Sequence, residues 1–347
     1  MNSVLHVLAL VAFLSVATPF MAIAQERFRI MEYNVENLFD TIPEPLKDDG
    51  DFLPNGSHKW GSERYWAKQG RLARTIAAAG GDVPVELVGL VEVENDSVVE
   101  HLTRRTSLAR LGYEYVITNS LDLRGIDVAL LYQPSRFRPV HREDLRVTTT
   151  EGERPTRDVL FVEGLLPTLD TLSVFVAHFP SRRGGVLATE HHRCEVAGMI
   201  RHKVDSIQTN RSDALIVVMG DLNDEVQDAS LKDTLKVLLP EEKILPSQLL
   251  YDLPPRCEEQ TSVKGTYYYQ GMWSKIDHII VSGAALRSDA PLYAPNPYSR
   301  ILAFPFLLER DEKSFQTYFR PKRTYKGPYY NGGISDHLPL LVEFRLR

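Results

Sequence analysis

Apolar positions along this chain change period several times. Residues 27–35 alternate, with Phe28, Ile30, Tyr33 and Val35 at the apolar steps, which predicts a strand. Residues 41–60, rich in Pro, Gly, Asp and Asn, predict a long loop. A helical pattern follows over residues 64–79 and stops at Gly80-Gly81. Residues 85–93 predict a buried strand that ends in Glu92 and Glu94, and residues 97–108 a helix. Further strands are expected at 113–117, 127–132 and 172–178. Residues 190–207 place Val196, Met199, Ile200, Val204 and Ile207 on one helical face. The most apolar run after the N-terminus is 214–219; residues 278–282 and 338–344 also suit strands, and 264–270 alternates less clearly. Residues 288–329, rich in proline and aromatics, predict a long excursion with little regular structure. Strands with interspersed helices give an α/β class, and no linker composition divides the chain.

Polar residues gather where the apolar runs stop. Gly220-Asp221-Leu222-Asn223, Lys275-Ile276-Asp277-His278 and Ser335-Asp336-His337-Leu338-Pro339 each adjoin a strand-like stretch. Strand ends present polar groups to a cleft, and Asp, Asn and His there suggest an oxygen-ligated metal and phosphoryl chemistry. Glu92 suits Mg²⁺, which keeps several waters and often takes only one or two protein carboxylates. Glu94, two residues on, shares its face if the strand stays extended. Asp277 and His337 form a candidate dyad, the carboxylate fixing the imidazole tautomer while the other ring nitrogen takes a proton from water. Asp221 and Asn223 pair an acceptor with a donor at one spacing. His178 opens a basic turn in which Arg182, Arg183 and the backbone of Gly184-Gly185 offer donors to a phosphate. An Asx turn at 221–223 and a solvated loop at 178–185 are the plainer alternatives. His278 faces away from Asp277 in a strand and reads as structural. There is no H-E-x-x-H, no paired C-x-x-C, no P-loop and no G-x-S-x-G.

The N-terminus is a separate segment. Residues 4–20 carry no Lys, Arg, Asp or Glu, and Ala22-Ile23-Ala24 forms an A-x-A pattern before Gln25-Glu26-Arg27. Residues 1–24 therefore read as a signal peptide, leaving residues 25–347 as one catalytic domain exported to the periplasm or beyond. Export permits a disulfide between Cys194 and Cys257, which spacing alone does not decide. The net charge of −6 means that a polyanionic substrate must be met by a local basic patch.

The order of the polar strand ends adds a further reading. The segments M-E-Y-N-V-E-N-L-F-D, G-L-V-E-V, V-A-H-F-P-S-R-R-G-G, G-D-L-N-D, K-I-D-H-I-I-V-S and S-D-H-L-P-L run from Met31 to Phe344. Together they resemble the endonuclease/exonuclease/phosphatase superfamily, typified by pancreatic deoxyribonuclease, and most of all its secreted bacterial members. The resemblance implies a four-layered sandwich, two packed mixed β-sheets flanked by α-helices, with a Mg²⁺- or Mn²⁺-dependent cleft at one edge. It implies metal ligation by Glu92 with Asn34 and Asp336, and a His337 base oriented by Asp277. Asp221 and Asn223 would position phosphate and nucleophile, and His178 would bind phosphate or assist the leaving oxygen. The implied substrate is a phosphate ester, nucleic acid first, with a lipid headgroup diester or a sugar or inositol phosphate as alternatives. No stable protein partner is implied, so a monomer is expected. A binding module that has lost catalysis is the rival from another class, disfavoured because each expected position holds a competent residue. Two departures touch the substrate contacts: Val91 stands where the family usually has Gln, and Ala177-His178 where it has Asn-His.

Overall fold

The computed structural model describes residues 26–147, 155–240, 246–259, 262–310 and 318–347. The expected signal segment, residues 1–24, lies outside the described residues. The elements in order are β1 (Glu26–Leu38), α1 (Ser62–Gly80), β2 (Leu87–Val93), α2 (Asp96–Arg104), β3 (Glu114–Ile117), β4 (Asp127–Tyr132), β5 (Arg138–Leu145), β6 (Val159–Leu165), β7 (Thr171–His178), α3 (Val186–Asn210) and β8 (Leu215–Asp221). Shorter strands follow, and two longer ones close the chain's architecture, Asp277–Ser282 and Leu340–Leu346.

Two mixed sheets form. In the first, Leu340–Leu346 pairs antiparallel with β1, β1 runs parallel to β2, and β4 and β3 extend the edge. In the second the order is β5-β6-β7-β8, then Asp277–Ser282, Leu250–Asp252 and Val237–Leu238. β7 and β8 are parallel, with α3 as their crossover. β1, β2 and β4 pack on β7 and β8, so the sheets lie face to face.

Side-chain alternation explains the layering. In β8, Leu215, Val217 and Met219 enter the core between the sheets, while Ile216 and Val218 join a second core under α3. β7 divides the same way, Val174 and Val176 against Phe175 and Ala177. Such strands, covered on both faces, have to be continuously apolar, as the sequence is there. α3 closes the outer layer with Val196, Ile200 and Val204, and α1 and α2 bring Leu72, Ile76, Val98 and Leu102 to the main core. The expected four-layered sandwich is the observed one.

Two expectations about elements change. β5 was invisible to hydrophobic pattern because most of its residues are exposed. Residues 288–329 hold several short strands, and Leu292–Tyr293 and Ser299–Ile301 pair with Leu340–Leu346 as part of the first sheet. No disulfide joins Cys194 and Cys257. Among the described residues, no helix is long and apolar enough to cross a membrane.

Candidate active site

The two sheets each contribute strand ends to one edge. β1 brings Asn34, β2 brings Glu92, and the turn before Leu340–Leu346 brings Asp336 and His337. From the second sheet come His178 at the end of β7, Asp221 at the end of β8 and Asp277 at the start of its strand. Register aligns the last three: His178 pairs with Asp221, and Asp221 with Asp277.

Asp221 is the hub. Its Oδ2 accepts from Asn34 Nδ2 at 3.0 Å and lies 3.7 Å from both His178 Nε2 and His337 Nε2. Its Oδ1 accepts from the Asn223 N–H at 3.0 Å. Burial, and then the Asp277 charge, push the Asp221 carboxyl up to about 7 against the pull of His337. His337 Nδ1 is 2.9 Å from both oxygens of Asp277, which is fully buried. A carboxylate only accepts, so Nδ1 carries the hydrogen and Nε2 faces Asp221. Burial alone would lower the His337 imidazole, but Asp277 and Asp221 outweigh it and hold it well above its ordinary value. Tyr267 stacks on the ring at 4.6 Å and bridges its backbone, fixing the imidazole plane.

Glu92 adopts φ +65°, and the pairing of β2 with β4 shifts register there. That kink separates two acids that an extended strand would align. Glu92 Oε2 accepts from the Asn37 N–H at 2.8 Å, and Oε1 lies 3.8 Å from His178 Nε2. Glu94 instead accepts from the Asp40 N–H at 2.6 Å, away from the hub. Burial would raise the Glu92 carboxyl, but Arg124, His337 and the Asn37 N–H hold it below the ordinary carboxylate range. His178 moves the other way: burial, with Arg157 and Arg124 behind it, pushes its imidazole well below 6.5, so it is neutral. Its buried Nδ1 has no hydrogen-bond partner.

Two sequence-predicted groups sit differently from expectation. Arg182 turns inward: Nη2 reaches Asp228 Oδ2 at 2.5 Å and Asp224 Oδ1 at 3.1 Å, and Nε donates to the Asn223 carbonyl. Two hydrogen bonds and an ion pair engage its Nε and Nη2, so it braces the 178–185 turn. Arg183 stays exposed on that turn. Asn223 remains beside the hub, though its Nδ2 donates to the Phe179 carbonyl at 3.1 Å.

Several groups escaped the sequence reading. Glu32 is fully buried in β1, neither carboxyl oxygen has a hydrogen-bond partner, and burial with the nearby Asp277 and Asp221 raises its pKa strongly. A lone Glu inside an alternating apolar strand was the available signal. Glu36 is held by the Thr324 N–H at 2.7 Å and by Arg323 at 3.2 Å, and its carboxyl is pushed up to about 7 by burial and Asp336. Arg323 also donates to Asp336 Oδ2 at 2.8 Å. Lys68, buried in α1, donates to the Glu36 carbonyl. Arg124 Nη2 donates to Asn37 Oδ1 at 2.6 Å and lies 3.8 Å from Glu92.

This donor set fits a hard divalent cation. Glu92 Oε1, 3.8 Å from His178 Nε2, and Asp336 Oδ1, 4.0 Å from His337 Nε2, are each carboxylate oxygens whose partner oxygen takes a protein N–H, and the Asn34 side-chain carbonyl oxygen accepts from the Glu36 N–H at 2.9 Å. Oxygen donors of this kind suit Mg²⁺ or Mn²⁺. Burial raises the Glu32, Glu36 and Asp221 carboxyls, with like charge behind it: Asp277 and Asp221 on Glu32, Asp336 on Glu36, and Asp277 on Asp221. Asp221, Asp277 and His337 also lie with their ligand-type atoms within 4.8 Å of one another. His337 Nδ1 already occupies both Asp277 oxygens, so this trio is arranged for proton handling more than for ligation.

Comparison with known proteins adds family and fold. Residues 29–346 match the model described as "Endonuclease/Exonuclease/phosphatase family". No curated protein sequence matches the chain. Among solved structures, an endonuclease/exonuclease/phosphatase family protein from Bacteroides thetaiotaomicron superposes with TM-score 0.55 at 15% identity, covering 93% of this chain and 96% of its own. A mannosyl-6-phosphatase from Bacteroides thetaiotaomicron VPI-5482 gives 0.58 at 15%, covering 91% and 99%. A truncated TDP2 from Caenorhabditis elegans gives 0.53 at 15%, covering 92% and 97%. At these identities the similarity speaks for the fold.

Proposed function

Because this chain belongs to the Endonuclease/Exonuclease/phosphatase family, we propose that it is a divalent-cation-dependent hydrolase of phosphate esters that works by direct attack of water. The observation carrying this reading is the buried Asp277–His337 pair with Nε2 directed at Asp221, which also meets Asn34 and His178, with Glu92 beyond His178. Water oxygen bonds to phosphorus, the ester P–O bond breaks, and the departing alcohol oxygen takes up a proton from solvent. In its unprotonated form His337 Nε2 receives the water's proton, and Asp277 stabilises the imidazolium that results, the same attraction that holds this imidazole above its ordinary value. Asp221 and Asn223 orient the phosphate and the water. Neutral His178 donates a hydrogen bond to a phosphoryl oxygen, its ring held by burial. Glu92, Asn34 and Asp336 would hold Mg²⁺ or Mn²⁺, which supplies Lewis-acid polarisation of the phosphoryl group.

Nucleic acid is the substrate the family resemblance puts first. Arg124, 3.8 Å from Glu92, is the half-exposed cation on this rim that would meet its phosphates. Export of the mature chain belongs to the same proposal and rests on the residue pattern of the first 24 positions.

The test is a panel of purified mature protein against DNA, RNA, a lipid headgroup diester, sugar phosphates and simple monoesters, each with Mg²⁺, with Mn²⁺ and with EDTA. Cation-dependent release of alcohol from at least one ester is expected. Turnover that survives chelation, or no turnover of any ester, would remove the proposal. Salt dependence then separates the readings, since a nuclease loses affinity steeply as salt rises and a small-ester enzyme does not.

A further inference from the structure

Beside the His337 ring lies an open cleft of about 820 Å³. Tyr267 stacks on His337, and Tyr269 lies parallel to Tyr267 with ring centres 6.2 Å apart and 9° between planes. The two tyrosines stand at alternate positions of the strand Tyr267–Tyr269, on the same face. The row of rings leads from the dyad into the cleft and ends at Tyr269, which is 53% exposed. Glu309, Arg320, Arg323, Lys326 and Asp336 supply the charged lining.

Those charges are paired. Glu309 Oε1 lies 2.9 Å from Arg320 Nε, and Glu309 Oε2 lies 2.9 Å from Lys326 Nζ and 3.1 Å from Asn331 Nδ2. Arg323 bridges Asp336 at 2.8 Å and Glu36 at 3.2 Å. A second phosphate entering here would find each cation already engaged and would face the Glu309 and Asp336 carboxylates. A neutral polyol brings no charge for those carboxylates to oppose, and its hydroxyls need only the N–H groups and lone pairs that this paired network leaves over, with an aromatic face for its C–H surface.

We propose that this cleft binds the hydroxylated ring of a phosphorylated carbohydrate, its C–H face on Tyr269 and its hydroxyls on the Glu309–Arg320–Lys326 network. The proposal rests on the phosphoester-hydrolase reading above and names its substrate class. Nucleobases also stack on tyrosine, but they bring a phosphate chain that the lining carboxylates oppose.

Two measurements on the full mature chain with Mg²⁺ test it. In the first, kcat/KM is compared for a hexose 6-phosphate, methyl phosphate and a short single-stranded DNA, in the unmodified protein and in Tyr269→Ala and Glu309→Gln. The hexose phosphate should be the better monoester. Each variant should lower the hexose-to-methyl kcat/KM ratio by about tenfold, mainly through KM, as loss of a ring contact or a charged hydrogen bond implies. In the second, calorimetry compares a non-hydrolysable hexose phosphonate with methylphosphonate, and the same preference and the same loss in Tyr269→Ala are expected. An unchanged ratio in both variants, or DNA turnover as the activity these variants weaken, would overturn the proposal. If no ester is turned over, the hydrolase reading fails; a hexose phosphonate that binds no better than methylphosphonate sinks the cleft proposal alone.

Discussion

His278 sits one residue from Asp277 and on the other face of its strand. Its Nδ1 is 3.0 Å from Asp252 Oδ1 and its Nε2 2.9 Å from the Asp224 carbonyl. Both partners only accept, so both ring nitrogens donate and the buried imidazole is an imidazolium. Burial pulls its pKa down, but Asp252 and these two hydrogen bonds raise it to about 8 from 6.5. Since the folded value is the higher, this contribution to stability is complete below pH 6.5 and disappears as pH rises through 8. The loss is on the order of 2 kcal/mol. Histidine NMR titration should find one ring near pKa 8, and the urea midpoint should fall between pH 6 and 9. A His278 ring titrating below 6.5 would contradict this assignment. The structural role of His278 was legible because strand alternation alone separates 277 from 278. The inward turn of Arg182 was not, because its acceptors Asp224 and Asp228 lie in a separate loop.

At the scale of elements, β7 and β8 meet the site through one glycine. Gly220 has φ +142°, and a Cβ placed there would lie 1.8 Å from the Ala177 carbonyl oxygen. Gly220→Ala must therefore push β7 from β8 at the point where His178 pairs with Asp221. We expect a destabilisation of about 3 kcal/mol or more, read from urea unfolding, with loss of activity. A variant of unchanged stability would show that the strands separate without cost. The long strands were readable because burial on both faces makes β8 a continuous apolar run ending in Asp221. β5 was not, because its residues face solvent and carry no apolar period. Glu92 was readable as a strand-end acid. Its separation from Glu94 was not, because the kink at φ +65° is a backbone event without a glycine or proline to announce it.

Across the whole molecule, the site straddles the two sheets. Asn34, Glu92 and His337 come with the first, His178, Asp221 and Asp277 with the second. A cation held at that junction binds the folded state alone, so it should raise the melting temperature. At a hundred times its Kd the gain is about 2.7 kcal/mol. Differential scanning calorimetry with and without Mg²⁺ or Mn²⁺ should show the rise, and Glu92→Ala should abolish it. An equal rise in both proteins would place the cation elsewhere. The sequence pattern itself showed an α/β class, and the sandwich came with the family resemblance that six polar strand ends in a fixed order carry. The carboxylates behind that edge were less visible: Glu32 and Glu36 acquire their character from burial beside Asp277 and Asp336, which no local pattern encodes.

The most direct test of the mechanism is the steady-state hydrolysis of whichever ester the panel identifies, measured for the unmodified protein and for His337→Gln under saturating Mg²⁺. Loss of the water-activating base should lower kcat by about 10²- to 10⁴-fold with KM little changed. A kcat within twofold of the unmodified protein would contradict the assignment of His337 as the group that takes the proton.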